Sequence, residues 1–276
     1  MESKYKILFD DNIEYNNHIL YRIEALKDFS NVKKGDLGGY IEDYANLSQD
    51  GNCWVYDNSF VLNESHISEN AMLKENVVVS GKSSISGDSE IIGNIRIDNS
   101  IITGKNVILN KGFLSDISIF KTAISNNVTI ILNGFDTNFF IALATLRNGV
   151  NIISDKPVDI ETVTLDGNIH LRGRVNILSE KDIYFIQMNG RNKHITFFKD
   201  YFKNVSVFIG GVGLFDLCDI EKTYENIVSY SEDPMNLDIK TIDTFLDNVC
   251  RHMCIELYEG KDGNNLTFRK IREYIT

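Results

Sequence analysis

The chain has 276 residues, 43% of them hydrophobic, with a formal net charge of −11 at pH 7 and a pI of about 5.0. That apolar share supports a sizeable core, and the length allows one large or two to three small domains. Lys and Arg form no cluster against the acidic balance, so direct nucleic-acid binding by phosphate neutralisation is not expected.

The N-terminus reads Met1-Glu2-Ser3-Lys4-Tyr5-Lys6 with no apolar export signal behind it, and no stretch is apolar for the ~18 residues a membrane helix needs. The expected location is the cytoplasm, that of the host cell if the chain is phage-encoded. Cys53, Cys218, Cys250 and Cys254 make no dense framework, which suits a reducing compartment. Residues 1–38 read as an N-terminal β cap, with strands near Tyr5–Phe9 and Ile19–Ala25. The turn-rich run Lys34-Gly35-Asp36-Leu37-Gly38-Gly39 leads out of it.

Residues 39–181 carry an internal repeat. Every sixth residue from Val55 is aliphatic: Val55, Val61, Ile67, Leu73, Val79, Ile85, Ile91 and Ile97. Two positions before each lie mostly small residues, among them Cys53, Ser59, Ser65, Ala71, Ser83 and Ser89. Two positions after lie Asp57, Asn63, Glu69, Glu75, Gly81, Gly87, Gly93 and Asn99, a natural corner because Gly and Asn accept left-handed backbone. One hexad is then a short strand and a corner. Three hexads close a coil of 18 residues, which stacks Val55 on Leu73 on Ile91 and Val61 on Val79 on Ile97. The pattern starts at Ile41 and Leu47, continues through Ile101, Val107 and Ile119, and returns at Val163, Ile169 and Val175, echoed by Leu165, Leu171 and Ile177. Between these stretches Phe139, Phe140, Leu143 and Ala144 fit a helical stripe with Gly149 as its C-cap, so a helical insertion is expected at about 137–147.

Residues 182–276 read as a small C-terminal α+β domain. Strands are expected at Asp182–Met188, Ile195–Phe198 and Val205–Ile209, and helices at about 219–230, 238–258 and 267–274. The fold class is therefore mainly β: a hexapeptide-repeat solenoid between a β cap and this domain.

The run Leu20 to Ser59, with its strings GDLGGYIE and GNCWVYDN, resembles the N-terminal part of YdcK-like hexapeptide-repeat proteins of bacteria and their phages. The run Met188 to Phe198 is similar to a phage-type C-terminal domain whose pattern is Gly-x-Arg-Asn-x-x-Thr-Thr-Phe-Phe followed by a Cys-Gly-Cys strand. Gly190, Arg191, Asn192, Thr196, Phe197 and Phe198 match it, whereas Ile209 and Gly211 replace the cysteines. The resemblance implies a left-handed parallel β-helix. Some members carry an acyltransferase label by fold analogy alone.

Acyl transfer needs a base, and the candidates are His66 and His170; His66 precedes the inward Ile67, so alternation aims it outward. The histidines His18, His66, His170, His194 and His252 are scattered, unlike the metal set of a γ-class carbonic anhydrase. Cys250 and Cys254, one helical turn apart, could share a metal with Cys218 or His252, but read as core thiols on an apolar helix face, so no metal is expected. Arg191 and Asn192 follow Gly190 at a turn, where Arg can fork onto a carboxylate or phosphate and Asn can read an amide; they are the candidate ligand-binding pair.

The resulting expectation is a non-enzymatic, homo-oligomeric binding or scaffold protein of phage or prophage type. A trimer is the favoured assembly, and a host protein or small ligand the partner. A counter-defence role against a host immune protein or nucleotide signal rests on the phage-like resemblance. The alternative is a hexapeptide-repeat acyltransferase using an outward His and an acyl-thioester donor. No cofactor is expected, except acyl-CoA under that alternative.

Overall fold

A computed structural model describes residues 3–110, 116–133, 138–187, 194–200, 202, 204–209, 213–216, 248–249 and 251–253. Short strands follow one another around a parallel β-solenoid, each pairing with strands one coil before and one coil after. Sheets of ten, seven and six strands result, and a separate sheet of four strands follows them.

The inward aliphatic residues form continuous ladders. Val55 pairs with Leu73 and Leu73 with Ile91 on the seven-stranded sheet. Val61, Val79 and Ile97 stack on the ten-stranded sheet, and Ile67 and Ile85 on the six-stranded one. All are buried, so each coil removes its apolar row from water only by resting on its neighbours.

The corners follow from backbone sterics and local hydrogen bonding. Asp57, Asn63, Glu69, Glu75, Gly81, Gly87, Gly93 and Asn99 all have φ between 49° and 112°. Asp and Glu are tolerated there because the corner side chain serves the next coil. Asp57 Oδ2 accepts from Glu75 N–H at 3.2 Å, and Glu69 Oε2 accepts from Gly87 N–H at 2.8 Å. The small position before each ladder residue does the same inside the coil. Ser59 Oγ accepts from Val77 N–H, Ser83 Oγ from Ser100 N–H, and Ser100 Oγ from Thr122 N–H, at 3.1–3.3 Å. These bonds satisfy buried backbone donors at the bends, which explains why the position is small and often polar.

Past Ile97 the period changes. Ile101 is 54% exposed and Val107 half-buried, while Ile102 and Ile108 point inward, because one residue fewer separates Ile97 from the next ladder position. The coils then lengthen to 22 residues, with Ile97 on Ile119 on Ile141, before Ile160 and Ile177 complete the column.

The expected helical insertion at about 137–147 is not a helix. Asn138–Ala142 and Thr145–Arg147 are strands of two different sheets. Phe139 and Ile141 are buried with the exposed Phe140 between them, a spacing of two rather than of a helical turn. Leu143 (φ 53°) and Gly149 (φ 98°) are corners of the solenoid, so Gly149 caps nothing.

At the start of the ten-stranded sheet, Tyr5–Tyr15 and His18–Ala25 form an antiparallel hairpin, and His18–Ala25 pairs antiparallel with Leu37–Ile41. Tyr5 and Phe29 close over Trp54 with ring centroids 6.1 and 5.4 Å away. At the other end the strands Ile183–Gln187, His194–Lys199, Val205–Ile209 and Gly213–Asp216 form the four-stranded antiparallel sheet. The last of them was not foreseen. Phe198 and Phe208 join the same apolar core as Val175 and Ile177. Between sheet and coil, Lys199 Nζ meets Asp182 Oδ1 at 2.9 Å. Burial pushes the Asp182 carboxyl up, but hydrogen bonds from Lys199 and Ser179 outweigh it and hold it below its usual value. Apart from Asn248, Val249 and 251–253, the helices expected at about 219–230, 238–258 and 267–274 lie outside the described residues.

Candidate functional site

His66 lies in the two-residue strand His66–Ile67, the first of the six-stranded sheet. Ile67 is buried and His66 half-buried on the outer side. Its Nδ1 stands 2.6 Å from the carbonyl oxygen of Ala45. A carbonyl can only accept, so Nδ1 carries the proton, and in the neutral ring Nε2 is left with the lone pair. That is the tautomer a general base requires.

His170 is placed differently. It sits in His170–Arg172, the last strand of the seven-stranded sheet, with its ring stacked on Phe208 at 5.4 Å and 2°. The Arg172 guanidinium lies 5.3 Å from the same Phe208 ring. His66 and His170 are thus on different sheets at opposite ends of the solenoid, and no single cleft unites them. Arg191, Asn192, Cys218, Cys250 and Cys254 lie outside the described residues. His252 Nε2 faces two carbonyls, Glu180 O at 2.9 Å and Ile183 O at 3.1 Å. It therefore donates, which removes that nitrogen as a metal ligand. Among the described residues no group of three or more His, Cys, Asp or Glu is placed to hold a metal ion, and no helix is long and apolar enough to cross a membrane.

Two features were missed by sequence reasoning. The first is a polar triad at the tip of the hairpin. His18 Nδ1 is 2.9 Å from Glu42 Oε1, and Asn63 N–H donates to Glu42 Oε2 at 2.6 Å. Burial pushes the Glu42 carboxyl up, but the bonds from His18 and Asn63 outweigh it and hold it below its usual value. No local signal announces this cluster, because His18 and Asn63 lie 24 and 21 residues from Glu42 in the chain.

The second is an apolar row on the outside of the seven-stranded sheet. Ile92 pairs with Leu109, Leu109 with Ile131, and Ile131 with Ile153. Each follows an inward residue, Ile91, Ile108, Ile130 or Ile152, so by alternation it points outward, and each is half-buried. The aliphatic doublets Ile91-Ile92, Ile108-Leu109, Ile130-Ile131 and Ile152-Ile153 were a legible signal for a face that needs cover on both sides. The row is bounded by Lys74, ion-paired with Glu90 at 2.6 Å, and by Arg172.

No protein-family model matches the chain. Over 45 residues it is 42% identical to a protein described as the uncharacterized acetyltransferase YdcK of Escherichia coli (strain K12). That stretch is 16% of this chain and 14% of the Escherichia coli protein.

Proposed function

We propose that the chain is a non-enzymatic scaffold of left-handed coils that assembles with copies of itself, as a trimer, through the outer face of the seven-stranded sheet. The carrying observation is the row Ile92, Leu109, Ile131, Ile153. Antiparallel sheets often leave one face to water, but parallel sheets carrying apolar residues on both faces are covered on both. A straight row of like residues suits a cyclic assembly, in which every copy brings the same surface to one axis. Light scattering after size exclusion tests this. The wild type should run at three times the 31.4 kDa of one chain, and Leu109→Lys with Ile131→Lys at one, with roughly a 100-fold weaker association. A monomeric wild type at micromolar concentration sinks the reading.

A second reading has its own observation. The Ala45 carbonyl fixes His66 with Nε2 as a proton acceptor, and the partial relative is described as an acetyltransferase. In that reading His66 Nε2 takes the proton of an acceptor group as the acceptor's lone pair attacks the acyl carbon of acyl-CoA; the acyl C–S bond then breaks, and the proton passes from His66 to the departing CoA sulfur. Release of free CoA thiol from acetyl-CoA, lowered ~100-fold or more in His66→Ala, supports it. Equal thiol release by both chains rules out His66 as the base.

A further inference from the structure

Lys4 is 1% exposed, and among the described residues its ammonium hydrogen-bonds to carbonyls and a sulfur, with the Asp50 carboxylate acting on it only as a nearby charge. Nζ lies 3.0 Å from Cys53 O, 3.2 Å from Asp50 O and 3.5 Å from Gly51 O. It also lies 3.2 Å from Cys53 Sγ and 5.3 Å from the Phe29 ring centroid. Lys is almost never fully buried without an acid to pair with. Cys53 is itself fully buried and makes no disulfide. A nitrogen and a sulfur nucleophile are therefore held face to face at the end of the first coil.

We propose that Lys4 and Cys53 form an oxidative modification site, in which peroxide joins Lys4 Nζ to Cys53 Sγ through one bridging oxygen. Two molecules of hydrogen peroxide are consumed and three of water released. The first oxidises the thiol to a sulfenic acid and leaves one water. The second oxidises the amine to a hydroxylamine and leaves another. The hydroxylamine oxygen then attacks the sulfenic sulfur, the S–O bond of the sulfenic acid breaks, and the third water departs. The bridge loses one hydrogen from nitrogen and one from sulfur and gains one oxygen, and each peroxide accepts two electrons.

The surroundings act on the reaction in two opposite ways. Burial pushes the Lys4 ammonium below its ordinary value, against the pull of Cys53, which eases formation of the neutral amine. Burial also pushes the Cys53 thiol up, so its oxidation waits on transient opening of the hairpin packed over it. Closing the bridge ties residues 49 positions apart, as a disulfide would.

Peptide mapping of the peroxide-treated full chain tests this. A linked pair of peptides holding Lys4 and Cys53, heavier than their sum by one oxygen less two hydrogens and separated by dithiothreitol, is expected. The treated chain should melt roughly 5–10 °C higher than the untreated one, and lose that gain on reduction. Lys4→Arg, which keeps the positive charge, should give no linked pair, and neither should Cys53→Ser. Stepwise oxidation of Cys53 alone, with Lys4 unmodified in the wild type, overturns the proposal whether or not the variants fold. So does a linked pair that persists under dithiothreitol.

Discussion

Gly87→Val is expected to cost about 4 kcal/mol of stability and to disrupt the stacking of the central coils, as read from the urea midpoint. Gly87 has φ 75°, a region that a β-branched side chain enters only under strain. A Cβ there would come within 2.3 Å of Gly104 O, 2.5 Å of Gly104 N and 2.7 Å of Gly104 Cα. All three are backbone atoms of the next coil and have no rotamer to turn away. Gly35 supplies the contrast, with φ 91° and nothing within 4 Å of the added carbon. Gly35→Ala should therefore cost only the dihedral strain, about 1 kcal/mol. If the two variants prove equally stable, coil-on-coil contact is not what makes Gly87 necessary.

Lys4→Met should cost about 2–3 kcal/mol, although it keeps an unbranched apolar stem only one atom shorter. The ammonium reaches Asp50 O, Gly51 O and Cys53 O, carbonyls at the open end of the first coil. Methionine has no donor, and the buried Cys53 carbonyl left without one carries its full desolvation cost. The neighbouring contacts, Tyr5 O–H to Leu47 O at 2.6 Å and Lys4 N–H to Gln49 Oε1 at 2.7 Å, survive the change. Loss should therefore begin in the cap, seen as faster amide exchange in 5–25 than in the coils from Val61 onward. Uniform loss along the chain would show instead that the cap and coils unfold as one unit.

Much of the solenoid was legible because its determinants are local. An aliphatic residue, a small one before it and a left-handed corner after it recur at fixed spacing from Val55 to Ile97. The reading failed where the coil changed length. The run Thr137 to Arg147 satisfies a helical stripe and a strand alternation equally well, and only the pairing of Phe139 with Ile117 and Val158 decides between them. Ile101 and Val107 fit the apolar pattern as well as their neighbours Ile102 and Ile108 do, and only the five-residue step from Ile97 to Ile102 decides which pair is buried. The polar clusters were illegible for a different reason. His18 meets Glu42, and Lys4 meets Cys53, only once the hairpin has chosen its register on the first coils. The outward row on the seven-stranded sheet is written in the sequence as aliphatic doublets, of which the inward ladder uses only the first member.

The early coils also act as a ruler. From Val55 to Ile97, residues 18 apart occupy the same place on the same sheet and make the same bonds to the coil ahead. Adding or deleting one such unit moves everything beyond it by a single step of about 4.8 Å along the axis. No face changes its identity in the process, and neither end has to be redesigned. The separation between the end closed by Lys4 and the end covered by Phe208 can therefore be reset in whole steps, by duplication or loss of a coil.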